Sequence, residues 1–261
     1  MRRDGQDPHS SGARGVLRVG TSGWHYDHWR GVLYPHDLPR ARWFECYTRH
    51  FGCVEIDNTF YRLPSVETFE SWRDRAPRGF RYALKFSRYG THLRKLKDPA
   101  GSLGHFLAGA ERLGARLGPI LVQLPPRWRA DPERLDAFLA AAPRRHRWAV
   151  ELRDPSWLSD AVFDVLRAHR AALVLHDLLP RHPRVRTADW IYLRYHGTAG
   201  LYSGGYGPRQ LAGEARRIAA WLEHGIDVWA FFNNDQAGHA VHDATALRER
   251  VEDRLCREAR G

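Results

Sequence analysis

Polar pairs one residue apart recur along this chain, each at the end of an apolar run. Glu151-x-Arg153, Arg194-x-His196 and Glu55-x-Asp57 have the spacing that puts both side chains on one face of a β-strand. Lys85 ends another such run, Asn58 follows Asp57, and Asn233-Asn234 closes the last. If these faces turn inward in a closed sheet, carboxylates and cations meet around one cavity. That set suits a small anion: Arg153 and Arg194 can grip a phosphate or carboxylate bidentately, and Lys85 adds a point charge. Glu151 and His196 are of the types that commonly transfer protons, which makes them candidate base and acid. A desolvated Lys85 could instead form a Schiff base with a carbonyl substrate, while its plainer role is to pair with Glu55. Asn233 and Asn234 either present amide groups to a hydroxyl-bearing ligand or form a hydrogen-bonded turn. Glu55 and Asn58 complete the polar ring. Trp24, Tyr61 and Trp157 lie after the first, second and fifth runs, where they stack on a ligand or cap the fold.

A divalent metal would need three or four converging His, Asp or Glu side chains. Glu55, Glu151, His176, Asp177 and His196 could supply them, but Lys85, Arg153 and Arg194 sit on the same rim and oppose a metal's charge. HxH and HExxH spacings are absent, and His239 and His242 lack an obvious third ligand. No metal is therefore expected. Nor is a nucleotide cofactor, because P-loop, GxSxG and cysteine–histidine signatures are missing.

The elements that must position these residues follow from hydrophobic patterning. Short apolar, β-branched or aromatic runs predict strands over residues 16–20, 54–58, 82–86, 120–124, 148–152, 172–176, 191–196 and 228–232. Several are apolar almost throughout, as strands covered on both faces tend to be. Amphipathic segments predict helices over 42–50, 66–76, 103–117, 132–141, 161–169, 209–224 and 244–256. Ser65 and Asp131-Pro132 are helix-entry signals, and Gly118-Pro119 ends a helix. The pattern is that of a single (β/α)8 TIM-type barrel over residues 15–261, with a degenerate sixth connection because 177–189 is broken by prolines. Residues 1–14 read as a disordered polar leader. A doubly wound open sheet would need a glycine-rich phosphate turn after the first strand, and Gly20-Thr21-Ser22-Gly23-Trp24 lacks that spacing. In TIM-type barrels the C-terminal strand ends carry the chemistry. The polar pairs fall there.

Composition sets the outer limits. The chain has 261 residues, 43% hydrophobic and 27% charged, which suits one globular barrel and excludes general disorder. No run approaches the ~20 apolar residues of a membrane span and no basic-then-apolar leader is present, so no membrane association and a cytoplasmic location are expected. Cys46, Cys53 and Cys256 make no CxxC pair, consistent with a reducing compartment. The net charge of +11 favours anions in general. Lysine supplies only Lys85, Lys95 and Lys97 of 41 cationic residues, and no basic block reaches five residues, so charge alone does not select DNA or RNA.

Seven ordered motifs carry a family resemblance: GTSGWHYDHWRGVLYP (20–35), VEIDNTFYRLPS (54–65), ALKFSRYGTHLRKL (83–96), LVQLPPRW (121–128), AVELRDPSW (149–157), YLRYHG (192–197) and FFNNDQAGHAVHDA (231–244). From about residue 16 to 256 the chain resembles the YecE-like family, also called domain of unknown function 72. The resemblance implies a TIM-type barrel and no particular reaction. Departures are Gly90-Thr91-His92 where Ile-Thr-His is expected, and His242-Asp243-Ala244 where Asn-Ala is usual.

The leading expectation is an enzyme that binds a small anionic, phosphorylated or hydroxylated substrate at the strand ends and works by acid–base catalysis. The alternatives are a nucleic-acid-binding or phosphodiester-cleaving protein, and a non-catalytic ligand-binding or interaction protein. Nothing in the sequence sets an oligomeric state.

Overall fold

The computed structural model describes residues 13–200 and 202–258. The expected leader lies almost wholly outside the described residues. Eight parallel strands follow in chain order: β1 (Leu17–Thr21), β2 (Cys53–Ile56), β3 (Arg81–Lys85), β4 (Leu117–Gln123), β5 (Trp148–Glu151), β6 (Ala172–His176), β7 (Trp190–Tyr195) and β8 (Asp227–Phe232). Each strand from β2 to β8 pairs with the next, and β8 returns to β1. The last seam, between β1 and β2, has no ladder. It is drawn together by a bridge between Ser22 and Glu55, where the Gly23 amide donates to the Glu55 carbonyl at 2.8 Å. A Cβ at Gly20 would stand 2.4 Å from the Cys53 carbonyl oxygen, so this close approach requires glycine. The result is a nearly closed barrel.

Helices α1 (Trp43–His50), α2 (Asn58–Tyr61), α3 (Val66–Arg75), α4 (Pro99–Ala110), α5 (Pro132–Ala141), α6 (Asp160–Ala168), α7 (Pro208–Glu223) and α8 (His239–Glu258) fill the connections. Between β6 and β7 there is none. Ser65, Asp98 and Asp131 cap α3, α4 and α5 by accepting from backbone amides of the first turn. Several boundaries differ from expectation. β2 stops at Ile56 because Asp57 takes helical backbone angles and Asn58 opens the single turn of α2. The helix expected over 103–117 starts four residues earlier at the Asp98 cap and ends at Ala110; Gly114, at φ 52°, breaks the following 3-10 turns. The last helix begins at His239 rather than 244.

Two apolar layers hold the barrel. Outside, the sheet packs on its helices through residues such as Phe44, Phe69, Phe106, Phe138 and Ile218. Inside, the small Ala83, Ala149 and Ala172 face the large Trp190, Tyr192, Trp229 and Phe231, so volumes complement across the barrel. This inner plug fills the middle and leaves the C-terminal strand ends to polar side chains. Among the described residues no helix is long and apolar enough to cross a membrane.

Candidate functional site

Alternation along each strand carries the inward register from Cys53 to Glu55, Ala83 to Lys85, Leu121 to Gln123, Ala149 to Glu151, Val174 to His176 and Tyr192 to Arg194. These side chains form one layer above the plug. At its centre lies Arg194, fully buried. Its Nε and Nη2 donate to Glu55 Oε1 at 3.2 and 2.7 Å, and its Nη1 donates to Glu151 Oε2 at 2.5 Å. Glu55 also accepts from Ser22 Oγ at 2.6 Å and Tyr192 Oη at 2.5 Å. The other oxygen of Glu151 accepts from Arg153 Nε at 2.5 Å. Burial pushes the Glu151 carboxyl upward, but Arg194 and Arg153 outweigh it and hold the group well below the usual carboxylate range. Glu151 is thus an ionised clamp for two guanidinium groups.

Lys85 reaches Asp57 at 3.3 Å and lies 4.3 Å from the centre of the Phe60 ring, both suitable neighbours for an ammonium group. Its partner is Asp57 rather than Glu55, which Arg194 occupies. Opposite, His196 is 1% exposed and its Nδ1 is 3.1 Å from Asp177 Oδ1. Asp177 also accepts from the His196 amide at 3.0 Å and from the Tyr206 hydroxyl. Burial lowers the His196 pKa against the opposing pull of Asp177, so the ring is neutral at pH 7. With Nδ1–H given to Asp177, Nε2 is the acceptor. His176 is satisfied as a neutral ring, with Nε2 on the Leu152 carbonyl and Nδ1 accepting from the Leu178 amide.

Charge in this layer balances: Glu55, Asp57 and Glu151 against Lys85, Arg153 and Arg194. Hydrogen bonding does not. Arg153 Nη2, His196 Nε2 and Gln123 Oε1 are buried with no partner. Buried polar atoms are nearly always paired, so these orphans, with Asp57 Oδ1 a fourth that meets only the charges of Lys85 and Arg194, mark a place for a ligand or solvent. The backbone points to the same end. Among the described residues, seven non-glycine residues have positive φ, and six of them (Lys95, Leu96, Asp98, Arg127, Tyr202 and Ala237) sit in loops following strands. Such angles cost energy and gather at functional sites.

The expected site residues divide into three groups. Glu55, Lys85, Glu151, Arg153, Arg194 and His196 share the layer, and Asn233, half-buried, follows Phe231 in the inward register. Asn234 is used within the fold, donating to the Gly204 carbonyl at 3.0 Å and to Asp243 at 2.7 Å. Trp24 packs outside the sheet against Phe44, Trp72 and Tyr82. Trp157 is fully buried and donates to the Trp128 carbonyl at 2.5 Å. Both tryptophans belong to the outer core and neither lines the layer. Asn58 is exposed, and Tyr61, 74% exposed, stands on the outer rim. Sequence reasoning passed over Tyr192, although its position two before Arg194 put it on the same face. Tyr206 carried no such signal. No group of three or more His, Cys, Asp or Glu side chains is placed to hold a metal among the described residues.

Comparison with known proteins follows the same lines. The profile described as protein of unknown function DUF72 matches residues 18–260. UPF0759 protein YecE of Escherichia coli K12 is 33% identical over 118 residues, covering 44% of this chain and 43% of YecE, so that match spans less than half the relative's length. UPF0759 protein YunF of Bacillus subtilis is 22% identical over 90% of this chain and 94% of its own. The crystal structure of a DUF72 family protein from Thermotoga maritima superposes with a TM-score of 0.81 at 26% identity, covering 91% of this chain and 99% of that one. A second DUF72 structure, from Enterococcus faecalis, gives a TM-score of 0.75 at 19% identity, covering 91% and 96%. The match along almost the whole barrel places this chain in the DUF72 family.

Proposed function

We propose that the strand-end layer binds a small anionic, phosphorylated or hydroxylated substrate and transfers a proton to or from it. Arg153 is the anion-binding edge: Glu151 fixes its Nε, and its Nη2 is buried with no partner. Lys85 supplies a second cation, with Asp57 as a partner that a ligand oxyanion can displace. His196 Nε2 is the proton acceptor, held by Asp177 in the tautomer a general base requires. Glu151 and Arg194 serve as positioning residues, since each is committed to opposite charge. Asn233 completes the set as a candidate for hydroxyl contacts. The observation that carries this reading is the unpaired buried donor of Arg153 together with the unpaired buried acceptor of His196 in one layer.

The test is NMR observation of the histidine rings while phosphate, then a panel of sugar phosphates and hydroxy acids, is titrated. The His196 signals should move saturably in the wild type and at least tenfold more weakly in Arg153→Ala. No saturable movement with any anion would overturn the reading.

One feature favours a second reading, nucleic-acid binding. Tyr61 and Tyr89 are 74% and 54% exposed at the rim, and Arg94, Lys95 and Lys97 follow Tyr89 in its loop. Exposed aromatics beside cations suit a single strand of nucleic acid. Affinity for oligonucleotides should then fall steeply with salt, and absence of binding at low ionic strength would exclude it.

A further inference from the structure

The missing sixth helix leaves a cavity of about 500 Å³ on the barrel flank, between the β6–β7 connection and α7. Leu175, Leu193 and Tyr195 form part of its wall, on the outward faces of β6 and β7. In a regular barrel a helix would cover these faces. Here the facing wall belongs to one side of α7, where Arg209, Gly213 and Arg217 recur at helical spacing.

Two features show how this space is built. The first is charge. Leaving aside Arg194, whose guanidinium is spent on Glu55 and Glu151 inside the barrel, Arg184, Arg209 and Arg217 line the cavity against the carboxylates of Glu214 and Asp177, an excess of one cation. Glu214 is nearly consumed: it accepts from Arg184 at 2.7 and 3.2 Å, from Tyr195 Oη at 3.2 Å and from Arg217. Asp177 is held by His196 and Tyr206. His182 adds a buried Nε2 that has no partner. The second is Gly213. It lies inside a 16-residue helix at an ordinary negative φ, where glycine is less stable than alanine. A Cβ there would meet nothing within 4 Å, so no protein neighbour demands glycine. The space above it is open.

We infer that this flank cavity is a second ligand site, for an oxyanion carried on a short apolar body. The guanidinium groups take the anionic head, and Leu175, Leu193 and the open surface over Gly213 take the body. The volume falls in the ordinary range for small-molecule sites. The site stands apart from the proposed role of Arg153, but it shares Asp177, whose carboxylate holds His196.

The test is calorimetric titration of the full chain with phenyl phosphate and, separately, phenylacetate, with inorganic phosphate as the head group alone. At least one aryl anion should bind at least tenfold more tightly than phosphate. That binding should fall at least tenfold in Gly213→Phe, which fills the space, and in Arg209→Glu, which reverses the charge. It should persist in Arg153→Ala. Melting curves check that both flank variants fold, and Gly213→Ala should melt no lower than wild type. Binding that survives both flank changes, that is lost in Arg153→Ala, or that is absent for both aryl anions would overturn the inference.

Discussion

Replacing Arg194 with methionine removes the charge that links Glu55 to Glu151. Arg194 is 0% exposed and makes three hydrogen bonds to the two carboxylates. Without it, Glu151 keeps only Arg153, and Glu55 keeps the hydroxyls of Ser22 and Tyr192. Breaking a buried ion pair from one side costs about 3–5 kcal/mol, because a desolvated charge is left behind. At roughly 2–4 °C per kcal/mol for a domain of about this size, the melting temperature should fall by roughly 6–20 °C. The pH dependence adds a sign. Glu151 has a depressed pKa in the folded protein, so its pairing stabilises fully above the ordinary glutamate range and is lost as pH falls through the folded value. In Arg194→Met that depression weakens, so the gap between variant and wild type should narrow toward acid. Urea unfolding at pH 7.5 and at steps from pH 4.5 down to about pH 3 measures both effects. A variant as stable as wild type at pH 7.5, or a gap that widens in acid, would mean that Arg194 does not hold the two carboxylates ionised.

Three further outcomes follow from the geometry. Gly20→Val should cost more than about 2 kcal/mol, since its side chain meets the Cys53 carbonyl at the β1–β2 seam; denaturant midpoints measure this, and a neutral result would mean the seam is not tight. Burial, with nearby cations or His176, holds His92 and His182 at about 4, below the ordinary 6.5. The unfolded chain therefore binds protons between about pH 6.5 and 4 that the folded chain does not, and stability should drop as pH is lowered through that window. The double variant His92→Gln/His182→Gln should flatten this slope in urea titrations; an unchanged slope would reassign it. Trp157→Ala should destabilise by about 3–5 kcal/mol through the lost core ring while leaving anion affinity within twofold by titration calorimetry, and a selective loss of affinity would return Trp157 to the site.

The barrel was legible because its strands are short and nearly all apolar, while its helices keep a polar face. The sixth connection was equally legible, since the prolines of 177–189 forbid a long helix. The inward convergence of Glu55, Lys85, Glu151 and Arg194 followed from two-residue alternation once the barrel was granted. Partner choice was not legible. Whether Lys85 meets Glu55 or Asp57 depends on Asp57 leaving the strand as α2 begins, a turn only a few residues long. Loop residues were harder still. Trp24 and Trp157 have the composition of ligand-stacking side chains, yet tertiary packing turns them into the helix layer. Tyr206 reaches Asp177 across a glycine-rich loop whose path no periodicity encodes. The unusual Asp243 is tied into that same corner, accepting from Asn234 and the Tyr206 amide.

A crystal structure of the wild type grown with phosphate or sulfate is the most direct measurement. An anion oxygen should lie within hydrogen-bonding distance of Arg153 Nη2, with Lys85 turned toward it and His196 Nε2 facing the ligand. An anion-free layer in which Arg153 Nη2 is paired with the protein itself would contradict the proposed site.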